Sequence, residues 1–168
     1  MKEGPLALAN PTDYTCRANI MWAGTLAHND LTGCGTTGDW ATHNIEHELS
    51  GLFDVSHGAG LAAVWGSWAR YTRNENLTRF ARFAHNVMGI DTTNMSDMEA
   101  SEAGIKAMEQ FFRSIGMPTD IHTLVGKDIT DAEIEEMAQK CTNGDTTTIG
   151  GLKILHAADI VKIYQMAK

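Results

Sequence analysis

Three of the seven histidines in this 168-residue chain fall within one stretch, THNIEHELSGLFDVSHG, Thr42 to Gly58. His43 and His47 are four apart, and His57 follows ten residues after His47. If the first part of the stretch is helical, residues four apart share a face, so Asp39, His43 and His47 form one stripe. His57 lies beyond a turn, from which the chain can fold back toward them. An imidazole pair with a carboxylate suits zinc or ferrous iron, and a spare imidazole beside such an ion can carry protons near neutrality. Spacing alone does not say which two of the three histidines would bind the ion. It also leaves open the plainer reading, a helix that carries imidazoles with Asp39 as its cap.

Other motifs in the chain fail on their context. Gly33, Gly35 and Gly38 spell GxGxxG, and Asp54 follows at a plausible distance. That fingerprint holds a pyrophosphate only where a strand feeds the loop and a helix begins at its end, and here the preceding segment reads as a helix. His47-Glu48 starts a zinc-peptidase HExxH, but the second histidine would fall at Gly51. No His-Asp doublet and no GxSxG occur. His28, His85, His122 and His156 stand alone and read as surface or satisfied core residues.

The elements that must position the stretch are helices. Asn10-Pro11 with Asp13 reads as a helix start, followed by apolar Tyr14, Ala18, Met21, Trp22 and Leu26. A loop, TGCGTTG, separates it from a helix capped by Asp39 and running to about Gly51. Further helices are expected from near His57 to Tyr71, from about Asn76 to Met88, and from the SDME capping box at Ser96 to Gly116. A second capping box, TDAE at Thr130, opens another, and a last helix is expected over about Leu152 to Ala167. No alternating strand pattern appears, so the fold class is all-α, a bundle of about six or seven helices in one domain over 1–168.

Composition bounds the rest. A 43% hydrophobic content is enough for a core, and a formal net charge of −8 disfavours nucleic acid and anionic membrane surfaces as partners. Three cysteines, Cys16, Cys34 and Cys141, without a CxxC pair, read as free thiols in a reducing compartment. No apolar run reaches membrane-spanning length, and the expected location is the cytoplasm.

From Gly38 to Tyr71 the chain resembles the iron-containing alcohol dehydrogenase family, in its butanol-dehydrogenase-like branch. The family's pattern is H-x-x-x-H, then a third His ten residues on, followed by Gly; here these are His43, His47, His57 and Gly58. The Tyr-x-x-Arg-Ala-Asn segment at Tyr14 to Asn19 and Phe-Phe-x-x-x-Gly-x-Pro at Phe111 to Pro118 extend the resemblance along the chain. It implies that His43 and His57 are ligands of a divalent metal, iron or zinc, and that His47 sits beside the metal and the nicotinamide, in the proton path or substrate pocket. It implies hydride exchange between NAD(P) and a small alcohol or aldehyde.

Family members are roughly twice this length. An N-terminal α/β nucleotide-binding domain and an Asp-x-x-x-His pair, which completes the metal shell, precede the part seen here. The chain thus resembles the C-terminal helical domain, expected to be inactive alone and to need that nucleotide-binding half for NAD(P). It is expected to present an apolar face to that half, or to a second copy of itself. With two ligands from the family's set, Asp39, Asp54, water or a second chain could finish the shell. The alternatives are a helical binding module without chemistry, and a metallohydrolase built on Asp39, His43, His47 and His57.

Overall fold

The computed structural model describes all residues from Met1 to Lys168. It is all-α: nine α-helices, two short 3₁₀ turns, and a single isolated β-bridge. The chain divides into two compact units, Met1–Gly38 and Asp39–Lys168. No helix is long and apolar enough to cross a membrane, and Cys16, Cys34 and Cys141 are free thiols.

In the first unit, α1 (Glu3–Ala9) precedes α2 (Tyr14–His28). The short α1 lies before the Asn10-Pro11 pair at which the sequence places a helix start. The cap of α2 is Asp13, not Asn10: its carboxylate accepts the Cys16 amide at 2.9 Å. Of α2 only Cys16 is buried, and Tyr14, Met21 and Trp22 are exposed. The glycine loop contains a 3₁₀ turn, Leu31–Gly33, fed by a helix and not by a strand.

The second unit holds α3 (Ala41–Phe53), α4 (His57–Thr72), α5 (Leu77–Asn86), α6 (Asp97–Ser114), α7 (Ile121–Val125), α8 (Asp131–Cys141) and α9 (Ala157–Ala167). Its core is built from Ile45 and Leu49 of α3, Val64 of α4, Ile134 and Met137 of α8, and Ile160, Ile163 and Tyr164 of α9, all but solvent-free. Tyr164 ties the layers together, its buried hydroxyl donating to the Ile45 carbonyl at 2.6 Å. Thus the helix that carries His43 and His47 is fixed along its opposite face, with Ala41, Ile45 and Leu49, one from each of three turns, locked in the core. Arg70 joins α4 to α6 through a two-pronged pair with Glu109, at 2.6 and 2.9 Å, and a bond to Glu102 at 3.1 Å.

Both capping boxes form, at Ser96 with Glu99 and at Thr130 with Glu133. Helix α3 continues through Gly51 to Phe53, because Leu49 and its neighbours keep packing past that glycine. The last helix begins five residues later than its sequence pattern suggests. Residues 149–155 instead fold back on themselves, with Ile149 and Leu155 paired across the bridge and the Gly151 and Leu152 amides drawn to Asp39.

Helices α5 and α6 meet through Gly104. A methyl group there would lie 2.8 Å from the Ala84 Cβ and 3.0 Å from its Cα, so backbone would have to move. Alanine gains about 1 kcal/mol in helix propensity over glycine, but overpacking costs about 1–3 kcal/mol. Because backbone is the obstacle, Gly104→Ala is expected to lower stability by about 1–2 kcal/mol. A denaturant midpoint equal to or above that of the wild type would refute this reading of the contact.

Candidate metal centre

Helix α3 brings His43 and His47 to one face by their four-residue spacing. The sharp connection after it returns His57 as the first residue of α4. Asp54 takes a left-handed conformation (φ 52°, ψ 44°) at the α3 C-cap, which reverses the chain within three residues of that helix's end. The result is that a ligand atom from each of His43, His47 and His57 lies within 4.8 Å of the others. Ring centroids are 5.3 Å apart for His43 and His57, 5.2 Å for His47 and His57, and 6.4 Å for His43 and His47.

The three rings differ in surroundings. His43 is half-buried, and Trp40 lies against it with ring centroids 5.0 Å apart. Burial, followed by the neighbouring His57 and His47, holds its pKa below the ordinary imidazole value, against a weaker opposite pull from Glu46. These surroundings favour the uncharged form of His43, in which a lone pair is free for a metal. His47 and His57 are open to solvent on one side. His57 turns its Nδ1 inward, onto the carboxylate of Glu46.

No carboxylate belongs to the convergent set. The stripe of Asp39, His43 and His47 expected from periodicity breaks at its first member. Both Asp39 oxygens are taken by backbone: Oδ1 accepts from Ala41 N at 2.8 Å, and Oδ2 from Gly151 N and Leu152 N at 3.0 and 2.7 Å. Asp54 serves the turn at which it sits. His28, His85, His122 and His156 stand outside the set, as their isolation in sequence suggests; the last three rest on Ile90 O, Asp128 and Asp145.

Sequence reasoning passed over Glu46. It lies three residues after His43 and reads as one more charge on a solvated face, yet it is fully buried. Its oxygens face the Ser50 hydroxyl and the His57 ring. The one hint in the sequence is the pair of small residues, Ser50 and Gly60, on which the carboxylate rests. Trp40 was passed over as well; only its place three residues before His43 marks it.

The donor set suits a divalent ion. Two imidazole nitrogens on one tetrahedral ion stand about 3.4 Å apart, given metal–nitrogen bonds of about 2.0–2.1 Å. Ligand atoms within 4.8 Å of each other, two of them on exposed side chains, need only small rotations to reach that spacing.

Comparison with known proteins identifies the family of the chain. The model of the Fe-containing alcohol dehydrogenase family, C-terminal part, matches residues 1–168. The chain belongs to that family. It is 36% identical over 167 residues to NADH-dependent butanol dehydrogenase A of Clostridium acetobutylicum, covering 98% of this chain and 42% of that protein. The crystal structure of NADH-dependent butanol dehydrogenase A from Thermotoga maritima superposes with a TM-score of 0.88 at 30% identity, over 99% of this chain and 42% of that one. The aldehyde reductase YqhD of Escherichia coli, in its substrate- and cofactor-free form, gives a TM-score of 0.90 at 33% identity, over 99% of this chain and 43% of that one. The chain thus spans about two-fifths of the length of these relatives, and corresponds to the C-terminal, helical part of the family.

Proposed function

We propose that these helices are the metal-holding part of an NAD(P)-dependent oxidoreductase of small alcohols and aldehydes, with His43 and His57 as ligands of iron or zinc and His47 as the catalytic neighbour. The convergence of the three imidazoles carries this reading. The nicotinamide cofactor comes from the names of the relatives, NADH-dependent in the case of the butanol dehydrogenases.

When bound, a divalent ion supplies Lewis acidity, lowering the pKa of an alcohol oxygen and polarising a carbonyl. The chain's own residues do the rest. His43, whose surroundings favour the uncharged ring, offers its lone pair. His57 offers the nitrogen left free by Glu46. His47, exposed and with its ring 5.2 Å from that of His57, is placed to take up or return the hydroxyl proton of a substrate. Trp40 shields one side of His43 from water.

The dinucleotide site belongs in this reading to a nucleotide-binding half, which would cover apolar surface such as Met21 and Trp22. A second copy of the chain is the other candidate for that surface. A cytoplasmic setting fits free thiols such as Cys141, which burial pushes up to about 12 and keeps unreactive. The metallohydrolase alternative loses its carboxylate, since Asp39 is engaged with three backbone amides.

Metal content decides the ligand assignment. Protein purified with iron or zinc supplied is expected to lose its metal in His43→Ala and in His57→Ala, and to keep most of it in His47→Ala. Equal and near-zero metal in the wild type and all three variants would overturn the proposal.

A further inference from the structure

We infer that Glu46 is a positioning residue of the metal centre: its buried carboxylate holds the proton of His57 on Nδ1 and so aims the unprotonated Nε2 at the ion. The inference rests on the reading of His57 as a metal ligand.

Glu46 is fully buried, whereas the His57 side chain is 47% exposed. No lysine or arginine reaches this carboxylate; its only partners are the Ser50 hydroxyl on Oε1 and the His57 ring on Oε2. A carboxylate removed from water must have its oxygens satisfied by donors. A neutral imidazole has one donor nitrogen and one acceptor nitrogen. The nitrogen facing Glu46 is therefore the donor, Nδ1–H, and the acceptor is Nε2 on the far side of the ring.

Three features indicate that the arrangement is built for this. Glu46 leaves α3 at the residue before His47, so one turn of helix carries both imidazoles and the acid that orients the third. Ser50, one turn further on, fixes the second oxygen and leaves the first no choice of partner. Gly60, one turn into α4, vacates the volume: a methyl group there would lie 2.7 Å from the Glu46 Cγ and 2.9 Å from its Cδ. An acid that hydrogen-bonds the far nitrogen of a ligand histidine fixes its tautomer and raises its basicity toward the metal. Loss of such a partner commonly weakens metal affinity about 10–100-fold.

The test combines two readouts on the full chain. In metal-free protein, at a pH where the ring is neutral, long-range ¹H–¹⁵N correlation of His57 is expected to place the proton on Nδ1. In Glu46→Gln, which keeps size and polarity, that preference should fall, and zinc titrated alone should bind about 10–100-fold more weakly with unchanged helicity. Ser50→Ala, which removes the other bond to the same buried carboxylate, should leave the tautomer as it is and zinc affinity within a few-fold. A wild-type proton on Nε2 overturns the inference even if Glu46→Gln fails to fold. Zinc affinity unchanged in a folded Glu46→Gln overturns it too. Failure of the wild type to bind zinc would instead sink the assignment of the ligands, and the tautomer would still decide the role of Glu46.

Discussion

Gly60→Ala is expected to destabilise the chain by about 2–3 kcal/mol, although alanine is the better helix former by about 1 kcal/mol. The reason is what the new methyl group meets. It would overlap the Glu46 side chain, at 2.7 Å from Cγ and 2.9 Å from Cδ. Glu46 can withdraw only by giving up Ser50 and His57, leaving a buried acid with unmet oxygens, and an unsatisfied buried group costs about 1–3 kcal/mol or more when charged. Stability and site are therefore coupled at this position, and Gly60→Ala should weaken metal binding as well as lower the denaturant midpoint. A double-mutant cycle isolates the cause. Glu46→Ala removes the obstacle, so the double variant should be more stable than the sum of the singles by about 1 kcal/mol or more. Strict additivity would mean that the two residues do not collide.

The histidines and Glu46 together show what a sequence discloses and what it hides. Histidine spacing was legible because it depends on two local facts, the helical repeat that aligns His43 with His47 and the turn that returns His57. Capping boxes at Ser96 and Thr130 were legible for the same reason, each being satisfied within four residues. Glu46 was not, because its partner His57 and the volume left by Gly60 lie eleven and fourteen residues away and are read only once α3 and α4 are packed. Nor was the start of α9. The apolar pattern from Leu152 onward is compatible with a helix, but amides of Gly151 and Leu152 are held by an acid more than one hundred residues earlier. The short helices Glu3–Ala9 and Ile121–Val125 escaped because neither is long enough to show a repeat. The fold class survives such misses, since every helix boundary can shift without introducing a strand.

Asp39 gives the sharpest separation of the two roles that periodicity offered it. As a member of a metal stripe its loss would empty the site; as an acceptor for Ala41, Gly151 and Leu152 its loss would loosen the fold and spare the site. The second outcome is expected. Asp39→Ala leaves three amides without their acceptor, one at the start of α3 and two in the segment that leads into α9. Asp39 stands one residue before the α3 N-cap, Trp40, so its bonds count as hydrogen bonds to a charged group at about 1.5–3 kcal/mol, and the expected loss of stability is about 2–4 kcal/mol. Asp39→Asn keeps one carbonyl oxygen, which can serve either the α3 amide or the Gly151–Leu152 pair but not both, so about half of the loss should return. Amide hydrogen exchange gives the local readout: Gly151 and Leu152 should exchange faster in Asp39→Ala while the Ile45 and Leu49 amides stay protected under conditions where the variant is folded. Metal content per folded molecule should match the wild type. A folded Asp39→Ala that has lost its metal would return the carboxylate to the ligand set, and with it the hydrolytic alternative.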